Sequence, residues 1–249
     1  MLEHKKIQNL SDYFVELNSR REKGVYFYRI NGYSEEVGEF IKKYYDTARR
    51  TGVVIEGKIP NPDEGNLAYY NEIMGMDFQM SMDFIHVSLR KWLPRMNEFQ
   101  RQNVAASIYD SLDSLRKAGK TENMLRNAYI KFMCWLYYKV ERIVNQLGEN
   151  HIPKILYEGQ ISNYELMLIS ILSNAGCDVV LLQYAGDQGY LKTDPGSVLS
   201  DSLQMEGLQP FPQGYCVKKV RDEIQNELNN ERLYGIRPSL TNCTNAWIK

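Results

Sequence analysis

Two short groups of residues in this chain have the types and spacing to hold an anion. The first is Arg29, Asn31, Gly32, Tyr33 and Ser34. The second is Tyr157, Glu158 and Gly159, followed by Ser162, Asn163 and Glu165, with Gln183 to Asp187 some twenty residues on. An arginine fork meets a phosphate or carboxylate through two parallel hydrogen bonds. A serine at a helix start stands beside unpaired backbone N–H groups that attract the same anions. These residues are therefore the candidate ligand-binding set, with Arg29 expected at an exposed position where it contributes little to stability. A plainer reading competes at each position: Gly159 as a turn, Ser162 and Glu165 as a helix cap, Arg29 as a solvated surface charge.

Catalytic signatures are sparse, and no catalytic residue or cofactor follows from them. The three histidines, His4, His86 and His151, are isolated, without the paired spacing of a zinc site. There is no GxSxG, no P-loop lysine and no GxGxxG. Asp187, Asp194 and Asp201 fall seven residues apart, too open for a calcium loop, so no metal site is expected. The eighteen tyrosines include the pairs 44–45, 69–70 and 137–138. On a helix, one of each pair is expected to turn outward.

The elements that must position these residues are legible from punctuation and period. Ser11 to Gly24 reads as a helix with both its signals, and Val25–Ile30 as a strand. Ser34 caps a helix with acids in its first turn and Arg49 and Arg50 in its last, as the helix dipole prefers. A strand at 53–56 follows, ended by Pro60 and Pro62, which completes a first βαβ pattern. Between about 66 and 148 the spacing is helical, in three helices separated by Pro94, Gly119 and Gly148. In the last of them Met124, Ala128, Phe132, Leu136, Val140, Ile143 and Leu147 form one apolar stripe. The second βαβ pattern is the clearest: a strand at Lys154–Tyr157, the capping box Ser162-x-x-Glu165, a helix to Gly176, and an apolar strand at 178–183.

The expected fold is therefore α/β: a mainly parallel Rossmann-like sheet built from two βαβ units, with a helical subdomain inserted between them. The divisions fall at 1–65, 66–150 and 151–249, the last loop-rich beyond Asp187 apart from a helix at about 217–233. In a sheet of this kind ligands bind outside the carboxyl ends of the strands, where both candidate groups lie.

A formal charge of −1 gives no global field for nucleic acid or an anionic membrane, and neither partner is expected. The apolar window at 130–140 carries Lys131 and Lys139 and is too short for a membrane span. Four cysteines without a CxxC fit a reduced compartment, and the opening residues lack a secretory signal, so a cytoplasmic location is expected. The tail, GIRPSLTNCTNAWIK, has no period and reads as a chain continuing into a larger architecture.

From Pro153 to Asp194 the chain resembles the YceG-like family. The resemblance rests on a Pro-led strand, the Tyr157-x-Gly159 turn, Glu165 early in its helix, Gly176-Cys177-Asp178-Val-Val, and a loop reaching Asp194. Pro210-Phe211-Pro212 before a helix, Leu233-Tyr234, and helices leading to Cys134-Trp135-Leu136 fit the same layout, over about 25–234. The stretch QGYCVKKVRDEIQNEL departs from it, lacking a helix rich in Thr and Ala. The resemblance implies a component of a bacterial biosynthetic module associated with tellurium resistance and stress response, and a chain that is one repeat of a longer protein. It also implies a nucleotide-like or sugar-phosphate ligand, and other proteins of a stress-response operon as partners. Two classes of function stay open: a small-molecule-binding module, and a non-catalytic scaffold.

Overall fold

The apolar runs become neighbours in one sheet because their side chains must be covered on both faces. In a computed structural model, which describes residues 1–62 and 67–234, β1 is Phe27–Ile30, β2 Val53–Glu56, β3 Lys154–Glu158 and β4 Asp178–Leu182. A two-residue β5, Asp201–Ser202, completes the sheet. All five strands are parallel, in the order β2-β3-β4-β1-β5.

The registers align residues in rows across the four longer strands. Val53, Ile155, Val179 and Phe27 form the first row, and Ile55, Tyr157, Leu181 and Arg29 the third. Between them run Val54, Leu156, Val180 and Tyr28; the fourth row is Glu56, Glu158, Leu182 and Ile30. Successive residues of a strand point to opposite faces. The apolar members of odd and even rows accordingly enter two different cores.

The even-row face is covered by α1 (Glu35–Thr51) and by α9 (Val217–Tyr234), which packs on it. On the odd-row face lie α2 (Leu67–Met74), α3 (Met82–Trp92), α4 (Glu98–Lys117), α5 (Glu122–Tyr138), the short α6 (Glu141–Val144) and α7 (Asn163–Ala175). A one-turn α8, Gln188–Leu191, lies in the connection from β4 to β5. The α1 connection runs from β1 toward β2, and the α7 connection runs the opposite way from β3 to β4. With their helices on opposite faces, the two share one crossover hand.

Four local expectations are corrected. The first strand and its successor are not neighbours, because β4 and β3 stand between β1 and β2. The expected helix from Ser11 to Gly24 is two 3-10 turns, Leu10–Phe14 and Leu17–Ser19, the first capped by Asn9. Arg20 turns inward instead of continuing a helix: it donates to the carbonyl of Gly24 and to the carboxylate of buried Asp178. Asp178 also takes Lys154 Nζ at 2.6 Å and the Tyr26 N–H at 2.9 Å, so every charge here is partnered. The long helix expected to reach Gly148 breaks at Lys139–Val140, and Met124 lies outside its buried stripe at 38% exposure. Tyr44 and Tyr45 are both buried, since α1 is covered by the sheet on one side and by neighbouring elements on others. The tail from 235 onward, with Cys243, lies outside the described residues.

Candidate functional site

The carboxyl ends of the strands carry every candidate residue, but the pleat divides them between faces. Arg29 lies in the third row and Glu158 in the fourth. The two therefore project to opposite sides of the sheet and do not form one site.

On the odd-row side Arg29 is buried, not exposed. It donates to Asp187 through Nε (3.0 Å) and Nη2 (2.9 Å), and through Nη1 to the carbonyl and Oγ of Ser200 (2.5 and 2.8 Å). Its guanidinium also stacks 4.2 Å from the Tyr190 ring centre. Burial works against its charge, yet the hydrogen bonds and charge of Asp187 outweigh burial and hold its pKa above the ordinary value. The network continues from Ser200 Oγ to the Tyr190 hydroxyl (2.7 Å), and from that hydroxyl to Asp194 (2.9 Å). This arrangement pins the 187–200 connection and leaves Arg29 little capacity for a ligand. The expectation of an exposed arginine is corrected: β5 and α8 close over it, a pairing that no local pattern announces.

The second candidate group is likewise engaged internally. Ser162 caps α7 and Glu165 answers it, accepting from the Ser162 N–H at 3.0 Å and its Oγ at 2.5 Å. The other Glu165 oxygen accepts from the Ile59 N–H at 2.6 Å, tying the chain after β2 to this helix start. The Tyr157 hydroxyl donates to the Gly57 carbonyl at 3.0 Å. Gly159 adopts φ +108°, and a Cβ there would stand 3.2 Å from the Gly57 carbonyl oxygen, so glycine is required. Gln183 Nε2 donates to the Gly159 carbonyl at 3.1 Å. Asn163 is exposed at the helix start. Asn31 donates to Ser202 Oγ at 3.1 Å.

On the even-row side the arrangement is more open. Glu158 Oε1 accepts from the Tyr184 hydroxyl (2.8 Å) and from the Val217 N–H at the start of α9 (2.9 Å). Its other oxygen has no donor among the described residues. Burial, then the hydrogen bond to Glu158, pushes the Tyr184 hydroxyl far above its ordinary pKa, which keeps it a donor. Ser34 caps α1 by accepting from the Val37 N–H at 3.2 Å. Tyr33, next to it, exchanges both backbone hydrogen bonds with Gln209 (2.6 and 2.9 Å).

Four half-buried rings meet there: Tyr33, Tyr184, Phe211 and Tyr215. Beside them opens a cavity of about 300 Å³ whose lining includes Tyr33, Tyr215, Lys42, Lys219, Glu39 and Glu223. Lys42 is held by Glu227 at 2.8 Å, whereas Lys219 has no ion-pair partner among the described residues. Sequence reasoning included Tyr33, Tyr184 and Glu158 but missed Phe211, Tyr215, Lys42 and Lys219. A phenylalanine between two prolines was the available signal.

Among the described residues no cluster of three or more His, Cys, Asp or Glu is placed to hold a metal ion. No described helix is long and apolar enough to cross a membrane. The chain belongs to the YceG family: the family model described as the YceG domain matches residues 5–227. No curated protein and no solved structure matches it.

Proposed function

We propose that this protein is a small-molecule-binding component of a biosynthetic module, of the kind the resemblance associates with bacterial stress response and tellurium resistance. Its ligand is nucleotide-like or phosphorylated and sits at the carboxyl ends of the strands, in a Rossmann-like arrangement. One observation carries this reading: past the end of β1 on the α1 face, a cavity lined by Tyr33, Tyr215 and Lys219, the last without an ion-pair partner among the described residues, adjoins the ring cluster in which Tyr184 donates to Glu158. Rings stack on a base, the carboxylate accepts from an amine or hydroxyl, and lysine meets phosphate. Its position just past the carboxyl end of β1 supports the reading, since parallel sheets take ligands at that end of their strands. Arg29, with its donors engaged, has no part in the proposed site.

A second reading, a non-catalytic scaffold for other proteins of the same operon, is favoured by a separate observation. The charged groups best suited to acid–base chemistry, Arg29, Asp187 and Glu165, are turned on one another or on backbone amides. A thermal-shift series with nucleotides and sugar phosphates separates the two, because a ligand bound to the folded state raises the midpoint. A midpoint unmoved by every compound favours the scaffold.

A further inference from the structure

The ring of Phe211 occupies a box of three tyrosines. Its centroid lies 4.9 Å from Tyr184, 5.3 Å from Tyr215 and 5.8 Å from Tyr33, at interplanar angles of 78°, 44° and 53°. These are the distances and tilts at which aromatic pairs attract. Phe211 itself is only half-buried, and both flanking prolines are exposed.

The segment that presents this ring is lightly tied. Pro210 and Pro212 have no N–H to donate, and the N–H groups of Phe211, Gln213 and Gly214 have no backbone partner among the described residues. Among the described residues its backbone hydrogen bonds are the pair between Gln209 and Tyr33 at one end and the Tyr215 N–H to the Pro212 carbonyl within its own turn. Withdrawing Phe211 therefore breaks ring contacts and no ladder of hydrogen bonds. A flat ring entering in its place would have Tyr184 and, bonded to its hydroxyl, Glu158, one of whose oxygens takes no donor among the described residues. Lys219, one lining residue of the adjoining cavity, stands close by at the base of Gly214.

We infer that Phe211 is a displaceable plug, and that the box takes the ring of a nucleoside phosphate, with the amine or hydroxyl on Glu158 and the phosphate toward Lys219. This rests on the ligand-binding reading above and narrows it to ligands that carry a flat ring. The affinity of a site open for only a fraction of the time is reduced by that fraction.

The test titrates the wild-type protein, Phe211→Ala and Phe211→Leu with adenosine 5′-monophosphate and ribose 5-phosphate, and adds an indole melt. We expect the monophosphate to bind the Ala variant about tenfold more tightly than wild type, as for a site open about a tenth of the time. The Leu variant, which keeps an apolar cover, should show a smaller gain and serves if the Ala variant does not fold. Indole should raise the melting point of the Ala variant and not of wild type. Nucleotide affinity unchanged or weaker in folded variants that also ignore indole overturns the inference and makes Phe211 ordinary packing. Ribose 5-phosphate binding wild type as well as the nucleotide overturns the ring requirement but not the phosphorylated-ligand reading. Indole stabilisation of the Ala variant without nucleotide binding by any form supports the plug and overturns the nucleotide reading alone.

Discussion

Arg29 and Asp187, 158 residues apart in sequence, face each other through two nearly parallel hydrogen bonds of 3.0 and 2.9 Å. The pair joins the end of β1 to the loop beyond β4. Removing the arginine strands Asp187, which keeps some contact with water, and deprives Ser200 of the two hydrogen bonds from Nη1. We expect Arg29→Ala to cost about 3 kcal/mol in urea unfolding, the lower end for breaking a buried pair. Arg29→Lys should rescue little, since a lysine cannot reproduce the fork or the stacking on Tyr190. A loss under 1 kcal/mol would return Arg29 to the surface.

At the start of α7 the cap and the loop it holds can be separated. Ser162→Ala should cost about 1 kcal/mol through the lost N-cap bond. Glu165→Ala should cost about 2–3 kcal/mol, because a charged acceptor leaves both the Ile59 and Ser162 amides unpaired. Equal losses for the two variants, measured by the same denaturation, would mean that the bond to Ile59 contributes nothing.

His4 supplies a pH dependence. Burial holds its pKa below the ordinary 6.5, a trend that the charge of Asp201 only partly opposes. The unfolded chain therefore binds this proton more readily than the folded one, so the His4 contribution is complete above about pH 6.5 and is lost as pH falls through the folded value. Melting-point curves of wild type and His4→Asn should converge on acidification across that window. Parallel curves from pH 7.5 to 5 would contradict the assignment.

The turn between α1 and β2 tolerates no side chain. A Cβ on Gly52 would come within 1.8 Å of the backbone oxygen of Lys154, and backbone in a central strand cannot step aside. Gly52→Ala should therefore be among the most destabilising single changes, above about 4 kcal/mol or unfolded outright by circular dichroism. Near-wild-type melting would mean that α1 meets the sheet differently.

What the sequence disclosed follows from how local each signal is. Ser34, Ser162 and Glu165 cap their helices as their spacing announces, and the run after Cys177 is the fully buried strand its composition requires. Strand order was not legible: nothing near Ile30 tells that β4, some 150 residues later, will lie beside it. The same blindness hid Arg29, whose partners come from 187 and 200, and parity decided the rest. One residue's difference in row sends Arg29 and Glu158 to opposite faces, and register depends on pairing, not on either strand alone. The two-residue β5 offers no run of strand length to detect.

Calorimetric titration of wild type, Tyr215→Leu and Lys219→Ala with nucleoside monophosphates tests most directly whether the α1-face crevice is the binding site. The account predicts saturable one-to-one binding by wild type. It predicts about tenfold weakening in the Tyr215 variant from lost stacking, and a similar loss in the Lys219 variant from one charge-assisted contact, each roughly 1.4 kcal/mol. Binding that survives both changes undiminished in folded proteins would place the ligand elsewhere, and no binding by wild type would contradict the account outright.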